Sequence, residues 1–354
     1  MLPLVNDLQG NDHVRKTIVG LLLAGLLLAG CGSSSSSSGS GATSTTAAGS
    51  GTSQKAADKT SVACPHNPVR FAVEPYDAGP ALEKAYKSIA SGLQAKLGCP
   101  VQLIISNSYV AEIEAMRGDQ LEIGEFGPLG YVFARKIAGA QGVATFGTSA
   151  GKASTYTAGI WTAKNSGITS LKQLKGKTVA LADTTSTSGA LYPVYALDQA
   201  GFHCHQVASC DDVTLKYAGG HAESMLALLH GTVDASEVNS QQEATSETAH
   251  QFDPSKFRQL WKSGPIYNDP IAVRGDLPAA FKAKVRAALL SLTPTQVAGA
   301  DTGQPEAVRA RDVDDTAAGD VPPEGARRLL LDLSPRGGRD RREFAVQVVH
   351  RHAC

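Results

Sequence analysis

Five consecutive hydroxyl side chains occupy residues 184–188, within the segment LADTTSTSGALYPVY, and Gly189 follows them. The strand-like run before them and the helix-like run after them predict a turn that opens a helix. The first amides of a helix have no intrahelical acceptor and carry about half a positive charge. Such a turn could bind a tetrahedral oxyanion, and Gly189 would let the backbone come close to it. A capping residue explains one hydroxyl, at about 1 kcal/mol, but not five.

A second candidate is His221, which stands in AGGHAES at the start of another helix-like run. An imidazole there can donate a hydrogen bond and adds positive charge when it is protonated. The same histidine could instead be the base for a serine among residues 186–188, so the alternative function is an exported phosphoester or phosphonoester hydrolase. A serine nucleophile usually stands in an elbow such as G-x-S-x-G, and TSTSG has no glycine two residues before either serine. No Gly-Lys pair follows the turn, which excludes a Walker-type nucleotide loop.

The composition restricts the partners of this chain. Lysine and arginine together number 33, and so do aspartate and glutamate, so no global field favours nucleic acid or an anionic membrane. The 354 residues predict about two domains, and the 42% of hydrophobic residues can form buried cores. Any charged ligand must therefore be bound by a local group of residues.

Strand-like and helix-length runs alternate along the chain, beginning with VRFAV and ALEKAYKSIASGLQAKLG. This alternation predicts an α/β fold with parallel sheets covered by helices. A second series of strand-like and helix-length runs begins after YTAGIWTA, and a strand pattern appears again in RQLWKSGPIYNDPIAVR. We therefore predict a first lobe from residues 64–158 and 262–301, and a second lobe from residues 159–261. Two chain crossings between the lobes form a hinge, with a ligand cleft between the lobes.

Both ends of the chain differ in composition from the predicted lobes. In residues 1–31 an apolar run of export-signal length follows a basic pair and ends in LAGC, which resembles a bacterial lipobox. This predicts a signal peptide, lipidation of Cys31 and an extracytoplasmic location. Residues 32–63 are mostly small and polar and predict a flexible tether with a reach of about 30 Å. Residues 302–354 contain nine arginines and no lysine, and are interpreted as a disordered extension or as out-of-frame coding.

Four cysteines in the predicted lobes are candidates for disulfides in an oxidising compartment, namely Cys64, Cys99, Cys204 and Cys210. Cys64 and Cys99 each precede a strand of one predicted βαβ unit, so the two thiols could meet at the same end of a sheet. Cys204 and Cys210 flank a short loop that a disulfide could close. Four cysteines allow three pairings, and the sequence does not choose among them. The histidines beside this loop suggest a metal site, but the spacing matches no zinc pattern, so we predict no metal and no other cofactor.

Four segments together resemble one family: SYVAEIEAMRGDQLEIGEFGPLGYVFA, TYTAGIWTAKNSGITSLKQLKGKTVALADTTSTSGALYP, YAGGHAESMLALLHGTVDA and SGPIYNDPIAVR. They are similar, in the same order and from about Val69 to Leu292, to the substrate-binding lipoproteins of phosphonate and phosphite ABC importers. The resemblance implies a type II periplasmic binding protein, in which two α/β lobes close on the ligand. It also implies that six residues bind the phosphorus-bound oxygens: Tyr109, Tyr156, Ser186, Thr187, Ser188 and His221.

The same resemblance places Asp269 where receptors for aminoalkylphosphonates direct a carboxylate at the amine of the ligand. The second carboxylate of those receptors corresponds to Gln241 here, which leaves phosphite, methylphosphonate and other small phosphonates open as ligands. Glu125 and Phe126 border the same cleft by position. Family members normally continue beyond the ALLSL helix, so a tail that does not match would leave the first lobe incomplete.

The resemblance further implies a way of working and a set of partners. We expect a monomer that hangs from the membrane by its lipid and docks on an ABC permease with a separate ATPase. No chemistry on the ligand is expected, so the chain would not be an enzyme. A ligand sensor for a membrane kinase would use the same fold and is a further alternative.

Overall fold

The computed structural model describes residues 62–77, 80–148 and 152–300, together with the backbone of residues 307–311. The predicted leader with Cys31, nearly all of the linker and the rest of the tail lie outside these residues. No helix in the described part of the chain is long and apolar enough to cross a membrane. No group of three or more histidine, cysteine or acidic side chains in that part is placed to hold a metal ion.

The described chain alternates strands and helices, as the sequence predicts. The first stretch contains β1 (Val69–Val73), α1 (Pro80–Leu97), β2 (Val101–Ile105), α2 (Tyr109–Arg117), β3 (Ile123–Glu125), α3 (Pro128–Ala138), β4 (Gln141–Thr148) and β5 (Thr155–Tyr156). The second stretch contains β6 (Gly159–Ala163), β7 (Thr178–Leu181), α4 (Tyr192–Leu197), β8 (Cys204–His205), β9 (Ser209–Cys210), β10 (Thr214–Tyr217), α5 (His221–Leu229), β11 (Ala235–Glu237), α6 (Ser240–Thr248) and β12 (Phe257–Lys262). The chain then continues through β13 (Ile266–Tyr267), β14 (Pro270–Val273), α7 (Ala279–Leu290), α8 (Pro294–Val297) and β15 (Ala307–Arg311).

Two main sheets organise the two lobes. The sheet of the first lobe has the strand order β15-β4-β14-β3-β1-β2, and the sheet of the second lobe has the order β10-β7-β11-β6-β12. The chain therefore builds part of the first lobe, forms the second lobe and then returns. This confirms the prediction of two α/β lobes with two chain crossings.

Both sheets are mixed, which corrects the prediction of parallel sheets. Strand β1 runs parallel to β2 and β3, and β7 runs parallel to β10 and β11. By contrast, β6 runs antiparallel to β11 and β12, and β14 runs antiparallel to β3 and β4. Both β6 and β14 carry the chain into a lobe from the other lobe. An entering strand starts at the carboxyl end of the parallel strands, as the pairing of Ile271 with Glu125 shows, and so runs the opposite way.

The two chain crossings lie side by side. Tyr156 of β5 pairs with Ile266 of β13 in a short antiparallel ribbon. The amide of Ala158 donates to Ser263 Oγ at 2.9 Å, and the amide of Ser263 donates to the carbonyl of Ala158 at 2.9 Å. The hinge therefore consists of two neighbouring strands that are hydrogen-bonded to each other.

Helices cover both faces of the first sheet. On one face, α1 and α7 bury residues such as Tyr86 and Phe281 against the strands. On the other face, a second apolar cluster contains Leu129 of α3 and continues into the second lobe through Leu191. The two lobes are therefore in contact beside the cleft.

Strand β15 corrects the predicted end of the first lobe at residue 301. Residues 307–311 pair antiparallel with β4 and form the edge of the first sheet. A strand at this position covers the edge of β4, which would otherwise present unpaired backbone groups. The beginning of the predicted tail is thus part of the lobe.

The structure contains one of the three possible cysteine pairings. Cys64 is bonded to Cys99, with 5.9 Å between their Cα atoms, and this bond ties the segment before β1 to the loop before β2. Cys204 is bonded to Cys210 across the β8–β9 hairpin. The sulfurs of the second pair are therefore not available as metal ligands.

Candidate ligand-binding site

The hydroxyl turn lies between β7 and α4 at the carboxyl end of the second sheet. Ser186 caps the following helical segment, because its Oγ accepts a hydrogen bond from the amide of Gly189 at 3.1 Å. The backbone then forms one wide turn, in which the amide of Leu191 donates to the carbonyl of Ser186. Ser186, Thr187 and Ser188 are all buried and line a cavity between the lobes.

The other two hydroxyls of the run have different positions. Thr185 donates to the carboxylate of Asp183 through both its amide and its hydroxyl, at 2.8 and 2.7 Å. It therefore stabilises the turn. Thr184 is half-buried and does not line the cavity. Three of the five hydroxyls thus remain as candidates for ligand binding.

Gly189 has a different role from the predicted one. A Cβ atom at this position would lie 2.5 Å from Ala182 Cβ and 2.8 Å from His221 Cε1, and Gly189 is not among the residues that line the cavity. The glycine is required because the turn packs tightly against β7 and the His221 ring. It does not serve the approach of a ligand to the backbone.

His221 begins α5 and is buried beside the hydroxyl turn. Its Nδ1 lies 2.9 and 3.0 Å from the two carboxylate oxygens of Glu237, and its Nε2 lies 3.4 Å from Ser186 Oγ. Burial lowers the pKa of His221, but the charge and hydrogen bond of Glu237 more than offset this, so the pKa is raised above its usual value. The raised pKa favours the imidazolium form, in which Nε2–H is directed to the hydroxyl turn.

The first lobe contributes a tyrosine and two carboxyl groups from the same edge of its sheet. Tyr109 is the first residue of α2, after the capping residue Ser108, and its hydroxyl is buried with no hydrogen-bond partner among the described residues. Glu74 follows β1 directly and is 1% exposed. Asp269 precedes β14, and its Oδ1 also has no hydrogen-bond partner among the described residues. These three side chains face the hydroxyl turn across the cleft.

All seven residues that were predicted to bind the ligand line one cavity of about 30 Å³. They are Tyr109, Tyr156, Ser186, Thr187, Ser188, His221 and Asp269. The first two and the last come from the first lobe and its crossing, and the other four come from the second lobe. Such a volume holds about two to three water molecules, so it suits a small polyatomic ion.

The lobes are joined by direct hydrogen bonds that involve residues lining this cavity. The amide of Leu129, in the first turn of α3, donates to Thr187 Oγ1 at 2.8 Å. The side-chain amide of Gln241 donates to Asn268 Oδ1 at 3.2 Å. The structure therefore represents a closed arrangement of the two lobes.

Carboxyl groups dominate the electrostatics of the first-lobe side. Burial, together with the nearby Glu112 and Asp269, raises the pKa of Glu74 well above its usual value. Burial also raises the pKa of Asp269 to about 7, although a hydrogen bond with Glu125 and the charge of His221 oppose the shift. No lysine or arginine is among the described residues that line the cavity.

Several of these residues were not singled out from the sequence. Glu237, which orients His221, ends β11, and Asn239, which donates to Ser188 Oγ at 3.4 Å, caps α6. Glu74 stands just after β1. All three stand at or just after the carboxyl end of a parallel strand, where open α/β sheets bind ligands, so their positions could have been singled out from the sequence. Glu125, which was expected to border the cleft, is instead buried behind Asp269 and does not line the cavity.

A family profile described as the periplasmic substrate-binding protein of phosphonate ABC transporters matches residues 71–315. The chain belongs to this family. The match extends beyond the expected limit at Leu292 and includes β15, so the first part of the predicted tail is a family sequence. The chain is accordingly an extracytoplasmic substrate-binding component of an ABC importer, which confirms the predicted class of function.

Two curated relatives support this assignment. The chain is 26% identical over 238 residues to the phosphate-import protein PhnD of Mycolicibacterium smegmatis. The aligned region covers 64% of this chain and 71% of that protein. It is also 26% identical over 212 residues to the phosphonates-binding periplasmic protein of Escherichia coli. That aligned region covers 58% of this chain and 60% of that protein.

Solved structures confirm the fold of a type II periplasmic binding protein. PhnD1 from Prochlorococcus marinus in complex with methylphosphonate has a TM-score of 0.61 at 20% identity, covering 71% of this chain and 94% of that chain. A binding-protein component of an ABC phosphonate transporter from Pseudomonas aeruginosa has a TM-score of 0.61 at 21% identity, covering 72% and 84%.

Proposed function

We propose that the chain binds a small phosphorus oxyanion, such as phosphite, methylphosphonate or phosphate, in the cavity between its lobes. The observation that carries this proposal is the convergence of the seven predicted residues from both lobes on one enclosed space. The cavity of about 30 Å³ suits a group of four or five heavy atoms better than the longer 2-aminoethylphosphonate. Gln241, in place of a second carboxylate, also provides no charge for an amine.

The second lobe supplies the donors and the charge. The hydroxyl of Ser188 accepts a hydrogen bond from Asn239, which leaves its own hydrogen free to donate to the ligand. Ser186 and Thr187 likewise accept from backbone amides and can donate their hydrogens. The imidazolium of His221 adds a positive charge, held in place by Glu237. Tyr109 and Tyr156 complete the set of donors from the first lobe and its crossing.

Binding and closure are coupled in this proposal. The ligand contacts both lobes only in the closed arrangement, so it shifts the population toward that arrangement. The closed receptor then docks as a monomer on an ABC permease whose separate ATPase provides the energy. We further propose that the chain is exported and anchored by lipid on Cys31, since the LAGC sequence resembles a lipobox. Acyl labelling that is lost in Cys31→Ala would support the anchor.

The hydrolase alternative has one geometric argument in its favour. Ser186, His221 and Glu237 form a row, with 3.4 Å from Oγ to Nε2 and 2.9 Å from Nδ1 to the carboxylate. A general base must, however, be unprotonated at working pH. Glu237 raises the pKa of His221, which favours the protonated ring that binds an anion over the neutral ring that accepts a proton. The row therefore favours anion binding over turnover.

Calorimetric titration of the purified chain tests the proposal, with phosphite, methylphosphonate, phosphate, 2-aminoethylphosphonate and sulfate. We expect saturable binding of at least one of the first three. Ser188→Ala should weaken binding about tenfold or more, because one buried donor is lost. Thr184→Ala is the matched control, since Thr184 belongs to the same hydroxyl run but not to the cavity.

Two outcomes would contradict the proposal. If the folded chain binds none of these ions, the site is not an oxyanion receptor. If the chain hydrolyses a phosphate or phosphonate ester and Ser186→Ala abolishes this, the hydrolase alternative is correct. Loss of phosphonate uptake in cells that lack the chain, restored by the wild type, would distinguish an importer component from a sensor.

A further inference from the structure

Glu74 is a buried carboxyl group in the ligand cavity that no part of the proposed binding mechanism uses. It is 1% exposed and lines the cavity directly after β1. Its Oε2 accepts a hydrogen bond from the amide of Gly127 at 2.8 Å. Its Oε1 is buried and has no hydrogen-bond partner among the described residues.

The start of α3 is shaped to hold this carboxyl group in place. A Cβ atom at Gly130 would lie 2.5 Å from Glu74 Oε1, and a Cβ atom at Gly127 would lie 3.2 Å from Oε2. Any larger residue at Gly130 would displace the side chain of Glu74. The two glycines of GPLG therefore leave the space in which the carboxyl group sits, and its position is determined by packing.

The groups around Glu74 are mostly acidic. Glu112 of α2, Asp269 before β14 and Asp183 after β7 all act on it electrostatically. Asp77 lines the same cavity. His221, the histidine in the lining, is already paired with Glu237 and does not pair with Glu74. The phenol of Tyr109 also lies within reach of the charge of Glu74. An ionised Glu74 would therefore share a small cavity with other carboxyl groups and with an anionic ligand, which is strongly unfavourable.

We infer that Glu74 and the bound oxyanion share one proton, so that Glu74 makes binding proton-linked and selects oxyanions that can carry hydrogen. The inference deepens the proposed function and rests on it. The proton comes from solvent or from the ligand and forms an O–H···O hydrogen bond between the carboxyl group and a phosphorus-bound oxygen. No covalent bond to phosphorus changes. Phosphite, phosphonates and phosphate accept this proton readily near neutral pH, whereas sulfate accepts one only in strong acid.

Proton uptake can be measured by calorimetric titration of the full chain with methylphosphonate at pH 8, in buffers of different ionisation enthalpy. The wild type should take up a substantial fraction of one proton per ligand. Glu74→Gln keeps the shape and the bond from Gly127 but cannot titrate, so it should still bind and should lose this uptake. It should also bind sulfate relatively better, by about tenfold, since a carboxamide donates without a shared proton.

Glu122→Gln is the matched control, because Glu122 is equally buried in the same lobe but neither lines the cavity nor acts on Glu74. Its proton uptake should equal that of the wild type. Asp269→Asn distinguishes the neighbouring carboxyl group. If this variant loses the uptake while Glu74→Gln retains it, the proton belongs to Asp269 and the inference is wrong.

Infrared difference spectra of the wild type provide a measurement that needs no variant. Ligand binding should produce the C=O band of a protonated carboxyl group, and the absence of this band would overturn the inference even if Glu74→Gln failed to fold. Failure of the proposed function can also be distinguished from failure of the inference about Glu74. A wild type that binds no phosphorus oxyanion refutes the proposed function, whereas tight binding without proton uptake refutes only the role of Glu74.

Discussion

Thr187 connects the two lobes, and its replacement by valine should weaken closure. Its Oγ1 accepts the hydrogen bond from the amide of Leu129 at 2.8 Å, and both residues are buried. The capping residue of α3, Gly127, provides no side-chain hydrogen bond, so the amide of Leu129 would lose its partner when the lobes close. An unpaired buried amide costs about 1–3 kcal/mol. Because this cost falls on the closed form alone, affinity should decrease by about 5- to 150-fold.

Two measurements test this prediction. Calorimetric titration with methylphosphonate gives the loss of affinity, and small-angle X-ray scattering of the ligand-free chain gives the shift toward the open form. Thr187→Ser is the matched control, because it keeps the hydroxyl and loses one methyl group, worth about 0.8 kcal/mol. It should bind much more tightly than the valine variant. Wild-type affinity and unchanged scattering for Thr187→Val would refute the reasoning.

Three further predictions follow from the site and the scaffold. Tyr109→Phe removes a buried hydroxyl that has no hydrogen-bond partner in the described structure. The free energy of unfolding in urea should therefore stay equal or rise by up to about 1 kcal/mol, while the affinity for the oxyanion decreases. A destabilised variant would contradict this. Because the pKa of Asp269 is raised to about 7 from 3.8, its protonated form favours the closed fold. That stabilisation is complete below about pH 4 and is lost as the pH rises through 7, so the melting temperature of Asp269→Asn should fall less over this window than that of the wild type. Replacing Cys64 and Cys99 by serine opens a loop with a sequence separation of 35 and should lower the free energy of unfolding by about 3–4 kcal/mol, whereas an unchanged denaturation midpoint would show that the bond is dispensable.

The tryptophans provide a simple readout for closure. Trp161 and Trp261 lie on the adjacent strands β6 and β12. Trp161 is largely enclosed in the second lobe, where its indole donates to the carbonyl of Val238 and its ring packs edge-on against Phe252. Trp261 packs beside Tyr156 and Ile266 at the crossing. A fluorescence change on closure should therefore come mainly from Trp261.

Much of the site could be anticipated from local sequence. The hydroxyl run between a strand and a helix indicated anion binding, because turn chemistry and helix N-termini depend on a few neighbouring residues. The resemblance of four segments added Tyr109, Tyr156 and Asp269, which spacing alone would not have connected with the run. The wrong expectations concerned contacts between distant segments. Gly189, for example, is required by Ala182 and His221, which lie outside its own turn.

The sequence by itself determined the chemical types of the site and the elements that carry them, because periodicity, capping and turn preferences act over a few residues. Only the tertiary structure decided which carboxylate holds His221, which amide meets Thr187, and which cysteines pair. It also decided the direction of β6 and β14 and the place of β15 in the first sheet. These properties depend on packing between segments far apart in the chain, and the raised pKa of Glu74 depends on the burial that this packing creates.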